Sequence, residues 1–406
     1  MARRWRMAAT LGLLLAVSAP ATARATDDYV VPTDPADQLS LPASADLAAP
    51  LARSLGIDAQ GARFRYALSY VAIPLKGYRL GVRRSQVEAM TRHVSRRMSS
   101  QTAERFSYGM TSWTKAPRTT SGRLSCDPVV VNRKYRSYAR GLNRPPEGYR
   151  DTIAIYVTPA RYKCNYAGIA LLGGRAIVLN GVDGDDPAGL QDWITAHELG
   201  HTLGLEHEAS FWSRTAGWTF ADPVPVKARE QQWNVYGDYL DLMGQPPNAG
   251  YGLPGARLSR WSFSALHLQD LGVLTGRNET VVRTSGRYTL DAVTPDRSGG
   301  RMMLSIPVVA DGQTTYWSLE FRPASSNATG LRLPEPYVMR GYGVRLLLAG
   351  RGVRYPAAMN RVFHVSRAAT AQAALPVGQR VRLARTGSVR VVSVGADTAT
   401  VDITLS

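Results

Sequence analysis

Cysteine is scarce in this chain: Cys126 and Cys164 are the only two in 406 residues. At most one disulfide can form, and no cysteine is available to a thiolate-rich zinc site near the histidines discussed below. Acidic residues are outnumbered 31 to 49 by lysine and arginine, for a formal charge of +18. Long apolar runs are also lacking. Met7 to Val17 is apolar but falls short of the roughly 20 residues a membrane-crossing helix needs, and no later segment is longer, so stable membrane insertion is not expected. No internal repeat is evident. The basic residues are scattered rather than interleaved with aromatics, so no nucleic-acid-binding module is read here.

The N-terminus reads as a leader. Arg3, Arg4 and Arg6 precede the apolar run, and Ala21-Thr22-Ala23 offers small residues for cleavage near Ala23, as in a secretory signal peptide. A membrane anchor is the rival reading. Export places the mature chain in a secreted, periplasmic or extracellular setting. Three of the eighteen net charges leave with the leader, so +15 remains. That charge favours anionic partners such as acidic proteins or wall polymers, or is simply a solubility trait. In an oxidising compartment Cys126 and Cys164 can pair, clasping the loop before Asp151–Thr158 to the segment before Arg175–Asn180. Two buried free thiols are the alternative.

Histidine is rare too, six in all, which gives weight to one run: His197-Glu198-Leu199-Gly200-His201-Thr202-Leu203-Gly204-Leu205-Glu206-His207. Asp186-Pro187 reads as a helix start, an acceptor at the cap followed by a residue with fixed φ. Leu190, Trp193, Ile194, His197, His201 and Leu205 then recur at helical spacing. His197 and His201 project from one face, a turn apart, and can share one Zn2+. Glu198 is rotated about 100° from His197 and suits the role of holding and deprotonating a water. Gly204 permits the left-handed turn that ends the helix and returns His207 as third ligand. Three ligands leave a fourth position open, the mark of a catalytic zinc. The alternative is a helix whose histidines are merely solvated or packed.

The run has the form HExxHxxGxxH, which resembles the zinc motif of the metzincin metallopeptidases. Asp241-Leu242-Met243-Gly244 resembles the methionine turn of that clan, with Met243 as its methionine, and the tetrapeptide resembles the gametolysin-like branch. Cys164-Asn165-Tyr166-Ala167-Gly168-Ile169-Ala170 and the segment from Trp261 to Leu274 are similar to that branch as well. The resemblance is good from about Arg63 to Leu274 and looser beyond. Two departures stand out. Gln245 occupies the place where some metzincins have a tyrosine ligand, and no cysteine precedes Cys126 to act as a pro-segment switch.

The resemblance implies a hydrolase acting on peptide bonds, with one catalytic Zn2+, a zinc-bound water as nucleophile and Glu198 as general base and acid. It also implies an edge strand beside the zinc helix. The candidate is Arg175–Asn180, with Ala176, Ile177 and Val178 pairing with an extended substrate; an ordinary half-buried strand is the other reading. Tyr236 and Tyr239 are candidate oxyanion donors. Asp183, Asp185 and Asp186 lack the glycine and terminal glutamate of an EF-hand loop and read as a solvated turn. His267 and His364 read as ordinary surface or packed histidines.

Along the chain, residues 1–23 form the leader and 24–61 an Ala/Pro/Asp-rich flexible lead or short pro-segment. Residues 62–275 form the expected zinc-peptidase domain. Within it Arg63 to Ile73 reads as a strand, and Ser85 to about Phe106 as a helix with Val87, Met90, Val94 and Met98 on one face. Asp151 to Thr158 reads as a central strand, Phe211 to Gln232 as an irregular cleft wall, and Ser262 to Leu271 as the closing helix. Residues 276–406 carry short strand-like runs, Met302–Val309, Thr315–Phe321, Tyr342–Leu348, Val389–Val394 and Thr400–Leu405, and suggest a β-sandwich or barrel that serves attachment or acts as a buttress. The fold class is α+β: a twisted mixed sheet with helices, then an all-β domain. A monomeric, secreted zinc endopeptidase acting on extracellular, acidic or wall-associated proteins is the leading expectation. A zinc hydrolase cutting wall-polymer peptide cross-links, and a silent adhesin with a vestigial site, are the alternatives.

Overall fold

Phe64–Ala72 (β1) opens the fold where the alternating segment predicts a strand. This computed structural model describes residues 62–406 except 79, 81, 120–123, 160–163, 165, 181–186, 206, 214–218, 221–230, 235–240, 245–261, 294–299, 311–312, 324–342, 350–361, 367–373, 376, 379 and 384–385. The leader and the lead segment therefore lie outside the described residues. The expected helix follows at Arg84–Gln101 (α1), and all four residues of its predicted apolar face are buried. It stops short of Phe106. Ala103 and Glu104 take positive φ values of 47° and 61°, a conformation that ends a right-handed helix, and Phe106 instead begins a strand, Phe106–Lys115 (β2). Pro128–Tyr135 (α2) comes next, with the Asp127 side chain accepting from the Val129 amide at 2.7 Å.

Asp151–Thr158 (β3), Gly168–Ala170 (β4) and Ala176–Asn180 (β5) complete the first sheet, in the order β2-β1-β3-β5-β4. Its pairs are parallel except β4 with β5, which is antiparallel. β3 is central, as expected. Its Ile153, Ile155 and Val157 join one core with α1, and Ala154 and Tyr156 join another on the opposite face with Val131 and Tyr135 of α2. A largely parallel sheet needs such cover on both faces.

β5 departs from expectation. Ala176, Ile177 and Val178 were read as an edge open to substrate. They lie between β3 and β4 and are buried to 1% exposure or less. Their backbone groups already have partners on both sides, so the free edge belongs to β4. The sequence around β4 is too short and glycine-rich to announce a strand, which is why its neighbour was taken for the edge.

Pro187–Thr202 (α3) is the histidine-bearing helix. It begins at the proline, as the sequence suggests; Asp186 and the other aspartates of that turn lie outside the described residues. Trp193, Ile194 and Leu199 bury it in the core shared with α1. Among the described residues no helix is long and apolar enough to cross a membrane.

The segment 211–232, expected to be irregular, contains strands. Glu208–Ser213 (β6), Thr219–Phe220 (β7) and Gln231–Asn234 (β8) precede the short helix Ala265–Asp270 (α4). After it come Glu279–Val281 (β9), Gly286–Asp291 (β10), Met303–Ala310 (β11), Gln313–Arg322 (β12), Gly343–Ala349 (β13), Val362–Ser366 (β14), Arg380–Leu383 (β15), Gly387–Val394 (β16) and Thr398–Leu405 (β17). They form two sheets, β10-β17-β16-β15-β7 and β8-β6-β14-β13-β12-β11-β9. β6 pairs with β14 and β7 with β15. Local pattern could not show β6 and β7, because their partners β14 and β15 lie far along the chain. Leu304, Trp317 and Phe321 of one sheet share a core with Val389, Val401 and Ile403 of the other. The whole mixes several sheets with a few helices, which agrees with the α+β expectation at that level.

Cys126 and Cys164 are bonded, with Cα atoms 5.5 Å apart, across a sequence separation of 38. The bond ties the start of α2 to the approach to β4. Tyr166 adds to this tie by donating its hydroxyl to the Cys126 carbonyl at 2.8 Å. A loop of this length is worth about 2–4 kcal/mol in the chain-entropy account. Replacing both cysteines by serine should lower the urea midpoint accordingly; an unchanged midpoint would show the bond to be idle.

Candidate metal centre

The last turn of α3 sets the geometry. His197 and His201 are both buried on one helix face. Leu203 and Gly204 leave the helix with amides bonded to the Gly200 and His201 carbonyls. Gly204 has φ 87°, the left-handed step its sequence position calls for. The chain then reverses, and His207 comes back buried beside the other two. Ligand atoms of the three rings lie within 4.8 Å of one another, and the ring centroids are 4.6–5.2 Å apart.

Two of the rings have fixed tautomers. His197 Nδ1 lies 2.9 Å from the Leu242 carbonyl and His201 Nδ1 2.7 Å from the Leu205 carbonyl. A carbonyl can only accept, so each Nδ1 carries the proton and each Nε2 presents a lone pair. His201 Nε2 faces His207 Nε2 at 3.0 Å. Two corners of a tetrahedral ion with nitrogen ligands at about 2.0–2.1 Å are separated by about 3.3 Å. The residues therefore fit a metal: three buried imidazoles converge, and one pair of their nitrogens stands close to that spacing. The carbonyl acceptors supply the outer support that histidine ligands ordinarily have.

Burial and the neighbouring His201 push the His197 imidazole down to about 3, against the smaller upward pull of the Leu242 carbonyl and the Asp241 charge. It is neutral, as a ligand must be.

Met243 lies in the turn Asp241–Gly244, fully buried beneath the helix. A Cβ on Gly200 would come within 2.3 Å of Met243 Sδ, so the glycine inside the histidine run is what lets the methionine seat there. Glu198 is also buried. A Cβ on Gly168 would come within 2.8 Å of Glu198 Oε1 and 2.5 Å of Ile194 Cγ2. The first residue of β4 is thus pressed against the carboxylate and the helix. Trp193 packs on His197 with ring centroids 5.0 Å apart. Asp192, also on α3, contacts His93 Nδ1 of α1 and pins the helix from its far side.

The structure thus brings together His197, His201, His207, Glu198 and Met243. Ala176, Ile177 and Val178 sit one strand further in, behind β4. Tyr236, Tyr239, Gln245 and Asp183 lie outside the described residues. Sequence reasoning missed Asp241 and the role of His267. Asp241 accepts from the Met243 amide at 2.6 Å and lies 3.2 Å from His267 Nδ1. His267 is a packed histidine, as one reading had it, but it braces the methionine turn. An aspartate two residues before a turn methionine was the available signal.

The depressed His197 value has a consequence for stability. Between pH 6.5 and about 3 the unfolded chain binds a proton at this position and the folded metal-free chain does not. The contribution of this group is therefore fully present above pH 6.5 and is lost as pH drops through that window. Urea midpoints of zinc-free protein should decline across it, and His197→Gln should flatten that decline. An identical slope in the variant would contradict this account.

Residues 147–222 match the family model for gametolysin peptidase M11; the match covers the three histidines and Glu198 and ends before the methionine turn. Comparison with curated proteins gives no match. Among solved structures, archaemetzincin from Methanopyrus kandleri is similar, with 16% identity, covering 53% of this chain and 97% of that one at a TM-score of 0.29. The metzincin-like resemblance of the histidine run is borne out by the family match: over residues 147–222 this chain is similar to gametolysin-type zinc metallopeptidases.

Proposed function

We propose that the chain is a secreted zinc-dependent endopeptidase of metzincin-like fold that hydrolyses extracellular or wall-associated proteins. One observation carries this reading: three buried imidazoles converge on a common point, with a carboxylate on the same helix turn, inside a segment that matches a peptidase family. In this reading His197, His201 and His207 hold one Zn2+. When bound, zinc supplies Lewis acidity toward a water and a peptide carbonyl at the position three ligands leave open.

The remaining work falls to the protein. Glu198 takes a proton from the attacking water and returns it to the leaving amine. Its carboxylate lies against Gly168, next to the free edge of β4. An extended substrate pairing with that edge lays its scissile bond beside the carboxylate. This role passes to β4 from the strand first considered. The catalytic unit is assigned to residues 62–275. Residues 276–406 supply most of a two-sheet sandwich, which also takes in β6, β7 and β8. The disulfide suits an exported protein.

Two measurements test the reading. Casein hydrolysis should vanish on chelation and return with Zn2+, whereas release of peptides from wall sacculi with casein untouched would favour the cross-link hydrolase. Glu198→Gln should keep one bound metal and lose about 10²–10⁴-fold in kcat; near-normal hydrolysis by this variant ends the assignment, and absence of turnover by the wild-type chain on either substrate leaves the adhesin alternative.

A further inference from the structure

The methionine turn is held by charge from a distant strand. Asp241 is fully buried, and its two oxygens draw on three groups: the Met243 amide at 2.6 Å, the Ser264 amide before α4, and His267 Nδ1 of α4 at 3.2 Å. Behind it stand two further buried charges, Glu320 and Arg322, from β12. The Arg322 guanidinium donates to Glu320 Oε1 at 2.9 Å, to the Phe263 carbonyl at 2.8 Å and to Ser262 Oγ, and lies 3.9 Å from Asp241 Oδ2. Glu320 Oε2 accepts from the Ala265 amide at 2.7 Å. The segment 262–265 is therefore clamped on one side to β12 and on the other to Asp241. The Leu242 amide donates to the Ser262 carbonyl at 3.2 Å, so the turn and this segment move as a unit.

That unit ends at the metal centre. The Leu242 carbonyl accepts from His197 Nδ1 at 2.9 Å, and Met243 Sδ sits under Gly200, between the two helical histidines. A shift of the turn would rotate the His197 ring, because its carbonyl partner would move with the turn.

We propose that Glu320 and Arg322 are positioning residues for the metal centre: through Ser262–Ala265 and Asp241 they fix the Leu242 carbonyl, and so the direction of His197 Nε2. The proposal rests on the zinc reading above. It gives the β-rich C-terminal region a part in the chemistry beyond support or attachment. Arginine is required for geometry as well as charge, since its planar fork serves Glu320, Ser262 and Phe263 together and a lysine ammonium cannot.

The test uses the full chain with Zn2+ alone as probe, in competition with a chromophoric chelator, and Co2+ absorption as a report on ligand arrangement. Glu320→Gln keeps an acceptor for the Ala265 amide but removes the charge facing Arg322. Arg322→Lys keeps the charge but not the fork. Each should fold and bind zinc about 10–100-fold more weakly, with an altered cobalt spectrum, a readout that loss of stability alone does not move. Folded variants with wild-type zinc affinity and cobalt spectrum overturn the proposal. So does failure of both to fold in saturating zinc, because the pair would then hold the fold and not the site. A wild-type chain that takes up no zinc sinks the metallopeptidase reading, and this inference with it.

Discussion

One hydrogen bond joins the two halves of the site: the proton on His197 Nδ1 given to the carbonyl of Leu242. The helix α3 can present two imidazoles by spacing alone. It cannot decide which nitrogen of each ring carries a proton or how the ring is turned. The carbonyl decides both for His197, and the Leu205 carbonyl does so for His201. The site therefore depends on two backbone oxygens held at fixed places by unrelated means. The Leu205 carbonyl is set by the left-handed step at Gly204 within the same run. The Leu242 carbonyl is set by a turn some forty residues on, anchored by buried charge. One support is local and the other is built by the tertiary fold.

That division explains how much was legible in the sequence. The three histidines, Glu198 and the glycine turn belong to one short segment with helical periodicity, and each has a local physical reason to be where it is. The face of α1 and the central place of β3 were legible for the same reason: periodicity of 3.6, and a continuous apolar run flanked by turn residues. Gly200 has no local reason in the sequence; its reason is Met243 Sδ, a contact no spacing rule contains.

Failures came where pairing is non-local. In sequence β5 reads as an edge because β4 is three residues long and has almost no sequence signature. The segment holding β6, β7 and β8 reads as irregular because β6 and β7 find partners in β14 and β15, and β8 pairs only with β6. Asp241 reads in sequence as a turn residue, and only the fold reveals that His267 and Arg322 converge on it. Composition divides the chain near residue 275, where short strand-like runs begin. The sheets themselves cross that line.

The shared sheets also bear on the order in which the molecule is made. Val362 must find Glu208, and Arg382 must find Thr219, across roughly 150 residues of intervening chain. Closures of that span are slow and come late. As the chain emerges from its N-terminus, the histidine helix can form early, yet the strands that follow it wait for partners near the C-terminus. Glu320 and Arg322 arrive equally late. A partly folded chain thus carries the three histidines and Glu198 without their full frame. The histidine cluster can take shape before the buried charges that back its far support are in place.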